Sequence, residues 1–316
     1  MSDSSTSAAQ SKFRSGLVYG LIAYMCWGIV PLYFRQLQGV DTLEILAHRI
    51  TWSLPLMLVV LAFTPDGYRT VWATLTNRKL VFALVASSVF LSINWLLYIY
   101  ATVTSRVAEA SLGYFMLPLV NAVLASVFLG EKLRPAHYPA LVLILVGVMM
   151  PMILRGEFLW LPIALPVTFG IYGLIRKKLP VDSVTGLTVE TLVLSLPCWT
   201  YLISQGLSGR GKFGSDGLLT FWFVFGGVMT VVPLLTFTLS VRRLPLLTQS
   251  FIQFVSPLVQ ILVTVFLLHE DVTYDRWIAL GCVLVAVCIF IGDAVVRYRR
   301  AKAEQTNLLR IENEAR

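Results

Sequence analysis

The chain has 316 residues, of which 57% are hydrophobic and 13% are charged, whereas an ordinary soluble domain is about a quarter charged. This composition excludes a soluble enzyme or a soluble binding domain. The net charge of +8 does not indicate nucleic-acid binding, because the basic residues follow the segments between apolar blocks instead of forming one patch.

Ten apolar blocks run in order along the chain, each of about 17 to 24 residues and long enough to cross a bilayer core of about 30 Å as a helix. They lie at 17–34, 43–63, 80–101, 107–129, 137–153, 158–175, 185–205, 217–240, 246–268 and 276–296. Runs such as 141–146 are apolar on every side, whereas the strands of a transmembrane barrel alternate apolar and polar residues. The predicted fold is an all-α membrane protein with ten transmembrane helices, multi-pass in the inner membrane of the cell.

The basic residues set the predicted orientation. With the N-terminus inside, 18 of the 25 Lys and Arg residues lie in cytoplasmic segments, six lie outside and Arg49 lies within a helix. Cytoplasmic loops of membrane proteins carry an excess of Lys and Arg. Both termini are therefore predicted to be cytoplasmic, together with the loops at 64–79, 130–136, 176–184 and 241–245.

The two halves of the chain resemble each other. Residues 96–131 align without a gap on 235–270 at a constant offset of 139, which places Ser111 on Ser250. Further matches are 118–120 with 257–259, 27–29 with 169–171, and 43–44 with 189–190. Because each copy has five helices, the second must enter the membrane from the opposite side, as in many secondary transporters. The predicted organisation is a cytoplasmic tail at 1–16, a first repeat at 17–153, a second repeat at 158–296 and a cytoplasmic tail at 297–316.

Several stretches resemble the RarD-type permeases, a group with paired EamA domains in the drug/metabolite transporter superfamily. The residues that carry the resemblance are Trp27-Gly28 with Pro31, then 43–49, 111–115, 118–121, 130–131, 169–174 and 186–192. The resemblance implies that helices 1 to 4 and 6 to 9 surround a cavity, with helices 5 and 10 peripheral. It also implies export of metabolites or drug-like molecules, since the RarD group is named for chloramphenicol sensitivity.

Two polar stripes are candidates for the lining of that cavity. Predicted helix 9 carries Gln249, Gln253 and Gln260 on one face, and predicted helix 4 carries Tyr114 and Asn121 at the matching positions. Spacings of three, four and seven residues place side chains on one side of a helix. The alternative is helix association, because Asn and Gln often form hydrogen bonds between helices in lipid.

Aromatic residues and prolines add further candidates. Asn94, Trp95 and Tyr98 of predicted helix 3, with Trp27 and Tyr172, form an aromatic set that suits an amphipathic organic molecule, although Trp and Tyr also serve as interface anchors. The candidate helix breaks are Pro31, Pro118 and Pro257. Proline removes a helical hydrogen bond, so we expect these sites to act as hinges or as static kinks.

Four ionisable residues within apolar blocks are candidates for coupling or gating. Glu190 lies about two turns inside predicted helix 7 without a basic residue at helical spacing, where an unpaired charge costs about 2.5 kcal/mol or more. Glu44 is expected to form a capping box with Asp41, and His48 and Arg49 are expected to reach the outer surface. Structural roles are the alternative for all four.

The predicted function is secondary transport, in the export direction, of small amphipathic metabolites or drug-like molecules by alternating access, with proton coupling left open. An intramembrane enzyme using Glu44, His48 and Arg49 is one alternative, although no HExxH or GxSxG motif is present. A non-transporting scaffold or sensor is another. We expect no enzyme activity, cofactor, metal site or nucleic-acid partner. The expected partners are a small-molecule substrate and the lipid bilayer, and the peripheral helices could support a homodimer.

Overall fold

The computed structural model describes residues 2–130, 135, 137–156, 160–241, 243–244, 252–269, 273–274, 277–282, 284–289, 291–293, 295–296 and 299. Within these residues every regular element is a helix. The predicted all-α class is therefore confirmed for the part of the chain that the structure describes.

The described helices follow one another in order along the chain. They are α1 (Ser2–Arg35), α2 (Thr42–Ala62), α3 (Gly67–Thr76), α4 (Arg78–Val103), α5 (Val107–Leu129), α6 (His137–Arg155), α7 (Leu161–Lys178), α8 (Ser183–Leu207), α9 (Gly217–Val241) and α10 (Val255–Phe266). The described residues of Trp277–Asp293 form a further helix, α11.

Within the described residues, each of the ten predicted segments overlaps one of these helices, and residues 246–251 of the ninth segment lie outside the described part of the chain. Five helices in the described part of the chain are long and apolar enough to cross a membrane, namely Phe13–Arg35 within α1, α2, α4, α8, and Gly217–Phe237 within α9. The two halves of α5 form a sixth if they count as one bent span, and the apolar parts of α6, α7, α10 and α11 are shorter. The fold is thus that of an integral membrane protein with at least five apolar spans.

The structure departs from the predicted segments in three places. α1 extends to Ser2, well before the predicted start at residue 17. α3 lies within the predicted loop at 64–79, and its Thr70 hydroxyl contacts that of Thr185 at 3.2 Å. α10 begins at Val255, so Gln253 lies in a turn and not on the helical face predicted for it.

Helices from the first half of the chain pack mainly against helices from the second half. α1 packs on α9 and α10, α7 packs on α4 and α5, and α2 packs on α8 and α9. Small residues permit some of these close approaches, as expected between helices in lipid. At Gly28 of α1, for example, a Cβ atom would overlap Val259 of α10.

The largest core cluster joins α1, α2, α4 and α9. Phe34, Ile45, Ile99 and Phe223 are fully or almost fully buried in it. Large apolar side chains also lie on the outside of the bundle, and Phe82 is 77% exposed. Lipid rather than water is the solvent in which such an exterior is stable.

Candidate functional site

An aspartate caps the N-terminus of α2, which carries Arg49, and another caps that of α8, which carries Glu190. Asp41 Oδ1 accepts hydrogen bonds from the backbone N–H of Leu43 (2.9 Å) and Glu44 (3.2 Å). Asp182 Oδ1 caps α8 in the same way. Glu44 does not complete the predicted capping box, because its Oε1 accepts from the backbone N–H of Lys212 at 2.6 Å.

Counted from these caps, Arg49 and Glu190 occupy the same position in their helices. Arg49 is the eighth residue of α2, and Glu190 is the eighth residue of α8. Glu44 is only the third residue of α2. The structure therefore makes Arg49, and not Glu44, the counterpart of Glu190 in depth along the helix.

The Arg49 cluster consists of Arg49, Phe34, Trp95 and Thr230, with the phenols of three tyrosines nearby. Arg49 is 6% exposed, so the expectation that it reaches the outer surface is wrong. Its Nε donates to Thr230 Oγ1 at 2.6 Å. Its guanidinium carbon lies 4.7 Å from the ring centroid of Trp95 and 5.8 Å from that of Phe34. The tyrosines close enough to interact electrostatically with it are Tyr33, Tyr98 and Tyr114.

Two residues of the predicted aromatic set, Trp95 and Tyr98, join this cluster together with Tyr114 of the predicted polar stripe, and Asn94 borders it. The rings of Tyr98 and Tyr114 meet edge to face, with centroids 5.6 Å apart. Asn94 Oδ1 accepts from the Tyr114 hydroxyl at 3.5 Å, while its Nδ2 donates to the Leu165 carbonyl at 2.8 Å. An Arg side chain surrounded by aromatic faces is held by cation–π attraction.

His48 is also buried and does not reach the surface as expected. Its ring lies between Phe213, with centroids 4.8 Å apart, and Phe223, with centroids 4.2 Å apart. Neither ring nitrogen has a hydrogen bond to any residue in the described part of the chain. The loop before α9 thus covers this end of α2, since Lys212 and Phe213 contact Glu44 and His48.

The Glu190 cluster consists of Glu190, Ser87, Arg176 and Tyr172. Ser87 Oγ donates to Glu190 Oε1 at 2.5 Å, and Arg176 Nε lies 3.7 Å from the same oxygen. Tyr172 lies close enough to interact with both charges. A cation therefore does accompany Glu190, but it comes from α7 and not from its own helix.

Space for Arg176 is provided by Gly186, because a Cβ atom at that position would overlap the guanidinium. Arg176 Nη2 also donates to the backbone carbonyl of Asp182 at 3.1 Å. Arg176 and Ser87 are not among the site residues that the sequence predicts. A basic run at a helix end resembles a loop anchor, and one serine in an apolar helix carries no local signal.

The predicted polar stripe is divided among different surroundings. Gln260 is buried, and its Nε2 donates to the Trp27 carbonyl at 3.1 Å while its Oε1 accepts from Ser111 Oγ at 3.2 Å. Asn121 is exposed and Gln253 is half-buried. Gln249 lies outside the described residues. A common cavity lined by this stripe stays a prediction.

The three candidate helix breaks also differ. α5 bends by 42° between Leu117 and Leu119, which places the bend at Pro118. Pro257 is the third residue of α10, where a helical N–H has no intrahelical acceptor to lose, so it breaks no hydrogen bond within that helix. Pro31 lies inside α1, which continues to Arg35.

An ion pair of neighbouring residues lies at the start of α5. Arg106 Nη2 lies 2.8 Å from Glu109 Oε2. The hydrogen bond to Glu109 raises the pKa of Arg106 above its ordinary value. This pair satisfies both charges locally and leaves neither one available as part of the two clusters.

Comparison with known proteins defines the family. The model of the EamA-like transporter family matches residues 14–153. Protein RarD of Salmonella typhi is 37% identical over 288 residues, which are 91% of this chain and 98% of that protein. An uncharacterized transporter of Vibrio cholerae serotype O1 is 35% identical over 291 residues, which are 90% of this chain and 95% of that protein.

A solved crystal structure shares the fold. It covers 88% of this chain and 97% of its own chain with a TM-score of 0.57, and at 17% identity the likeness concerns the fold alone. The sequence relatives, taken with the apolar helices, establish more than the fold. The chain belongs to the RarD-type permeases of the EamA transporter family, and it is a membrane transporter of the drug/metabolite type.

Proposed function

We propose that this transporter is a secondary exporter of small amphipathic metabolites or drug-like molecules. Its ten helical segments cross the inner membrane as two inverted five-helix repeats, with both termini in the cytoplasm. The repeats move relative to each other and open a shared site to either side in turn, which is the alternating access of inverted-repeat carriers.

The pairing of helices across the two halves is the observation that carries this proposal. Under the predicted repeat, α1, α2, α4 and α5 correspond to α7, α8, α9 and α10. If each helix is replaced by its repeat counterpart, the contact of α1 with α9 becomes the contact of α7 with α4. In the same way, the contact of α1 with α10 becomes the contact of α7 with α5. All four contacts are present. Two halves packed in this reciprocal way can rock about a common axis.

Glu190 is the coupling group in this proposal. Its carboxylate is fully buried and contacts Ser87 of α4 and Arg176 of α7. Uptake of a proton would remove its attraction for Arg176 and loosen the junction of α4, α7 and α8. A proton gradient could thus drive the opening of that junction. The positions of Glu190 and Arg176 on the cytoplasmic side follow from the predicted topology.

The intramembrane-enzyme alternative has little geometric support. Glu44 binds the backbone of Lys212, and the His48 ring is enclosed by two phenylalanines. In the described part of the chain, therefore, no hydrogen bond joins Glu44, His48 and Arg49 into an acid–base arrangement, which proton transfer would require. The relatives named as transporters favour transport as well.

The test is transport by the purified full-length protein in proteoliposomes with an imposed pH gradient. Amino acids, chloramphenicol and related aromatic compounds are screened for uptake and efflux against protein-free liposomes. We expect at least one compound to cross with its mass unchanged, which separates transport from chemistry. Chemical conversion of a compound without net movement would contradict the proposal.

A further inference from the structure

We propose that Arg49 binds the anionic group of the transported molecule, so that the substrates are amphipathic organic anions bearing a carboxylate or similar oxyanion on an aromatic or apolar body. This inference rests on the proposed transport function and names its substrate class. Nothing in the fold itself requires a cation at this position, since a neutral residue would pack there at lower cost.

Arg49 has no counter-charge among the residues that the structure describes. It is 6% exposed and belongs to a helix long and apolar enough to cross the membrane. Among the residues that the structure describes, its only hydrogen bond is the one from Nε to Thr230, and no carboxylate forms an ion pair with it. Both Nη groups thus keep their donors for another partner. Buried charges in membrane helices normally pair with one another or mark a functional site.

The surroundings of Arg49 in α2 differ from those of Glu190 at the corresponding position of α8. The match of 27–29 with 169–171, continued without a gap, places Phe34 on Arg176. Phe34 contacts Arg49, and Arg176 pairs with Glu190. Where the second half supplies a counter-charge to its buried charge, the first half supplies an aromatic ring. Within the described part of the chain, the protein thus supplies a counter-charge to Glu190 but none to Arg49.

The chemistry of the guanidinium and of the rings around it indicates which ligand would bind. A guanidinium presents parallel N–H donors that match a carboxylate, and Nε is already fixed by Thr230 in an orientation that Trp95 supports from one face. The surrounding aromatic rings offer an apolar surface to the rest of the ligand. A cationic ligand would be repelled at such short range, and a neutral one would leave the charge uncompensated. The arrangement therefore selects an anion attached to an apolar body.

The experiment measures ligand binding to the purified full-length protein in lipid nanodiscs by tryptophan fluorescence, because Trp95 lies against Arg49. The probes are 3-phenylpropionate, its neutral amide and 3-phenylpropylamine, which share one aromatic body and differ in charge. We expect the acid to bind at least tenfold more tightly than the other two. Arg49→Gln should reduce this preference to less than twofold, and Arg78→Gln, which removes an exposed cation, should keep it.

Arg49→Lys provides a second measurement if Arg49→Gln does not fold. Lysine keeps the charge but lacks the planar fork, so the acid preference should fall between those of the wild type and Arg49→Gln. Equal binding of acid and amide by the wild type, or an undiminished preference in either Arg49 variant, would overturn the inference. Proteoliposomes that carry neutral compounds without preference for acids would do the same while leaving the transport function intact. Acid-selective binding without any transport would instead support this site and contradict the proposed function.

Discussion

The Arg49 cluster and the Glu190 cluster occupy equivalent positions in α2 and α8 but satisfy their charges in different ways. Glu190 has a serine hydroxyl at 2.5 Å and a guanidinium at 3.7 Å. Arg49 has a threonine hydroxyl at 2.6 Å and the faces of aromatic rings. A repeat can thus conserve the place of a buried charge while changing its sign and its partner. Under the two proposals above, one half would respond to a proton and the other would bind an anion.

The ends of α2 and α8 differ as well. Beside α2, the loop before α9 supplies Lys212 and Phe213, which contact Glu44 and His48. Beside α8, Arg176 of α7 reaches the Asp182 carbonyl directly. In a transporter of this type, each set of contacts would have to separate when its own side opens. Under the proposed function, these two sets of contacts would act as the gates of the two sides.

The strongest test of this comparison is topology. If the clusters lie toward opposite faces, reporter fusions after residue 70, within α3, and after residue 210, before α9, should report opposite sides of the membrane. The basis is the excess of Lys and Arg in the predicted cytoplasmic segments. Paired alkaline phosphatase and fluorescent-protein fusions measure this outcome. Same-side signals would refute the predicted orientation.

Coupling should depend on the Glu190 cluster. Glu190→Gln keeps the shape of the side chain and can still accept from Ser87 but cannot take up a proton, so accumulation driven by a pH gradient should fall at least tenfold. Substrate exchange without a gradient should persist. Asp66→Asn, at an exposed loop position, serves as the matched control. Equal gradient-driven accumulation by Glu190→Gln and the wild type would exclude coupling through this residue.

The two clusters should also differ in stability. Arg176→Gln leaves the fully buried Glu190 carboxylate without its cation, and breaking a buried ion pair costs about 3 kcal/mol of unfolding free energy. Arg49→Gln breaks no ion pair and should cost little or nothing. Unfolding of the purified protein in mixed micelles measures both changes, with Lys178→Gln as the control on the same helix.

A double variant decides whether the loss in Arg176→Gln comes from the ion pair. Combining Glu190→Gln with Arg176→Gln removes both charges, so most of the lost stability should return. Additive losses in the double variant would mean that the two residues act independently and that the ion pair is not the cause.

The helices could be predicted from the sequence because lipid imposes one rule on every span, a long apolar run with its backbone paired internally. α3 has ten residues between two such runs, too few to cross the bilayer, and for that reason the sequence predicts a loop there. The depth of Arg49 also escaped prediction. An arginine near a helix end can reach the surface by its long side chain, and only the packing of Phe34 and Trp95 around it shows that it does not.

The candidate site was predictable in composition but not in grouping. Trp95 and Tyr98 of the predicted aromatic set lie around Arg49, and Tyr114 of the predicted polar stripe lies there with them. Tyr172 belongs instead to the Glu190 cluster. Which helix faces which neighbour depends on the crossing of helices distant in sequence, and spacing along one helix contains no information about it.

The smallest expected change in stability concerns Gln260. Its substitution distinguishes a residue that joins helices from one that faces a ligand. Its amide binds the Trp27 carbonyl of α1 and the Ser111 hydroxyl of α5. Interhelical hydrogen bonds in lipid contribute about 1 kcal/mol, so Gln260→Leu should lower the unfolding free energy by about that amount.

Gln253→Leu should leave stability unchanged, because the Gln253 side chain has no hydrogen bond to the described residues, and should lower transport if that side chain lines the cavity. Thr264→Val, which removes a hydroxyl bonded only within α10, controls for the loss of a polar group. Normal stability with abolished transport in Gln260→Leu would reverse this assignment, because the amide would then serve the substrate and not the junction of α1, α5 and α10.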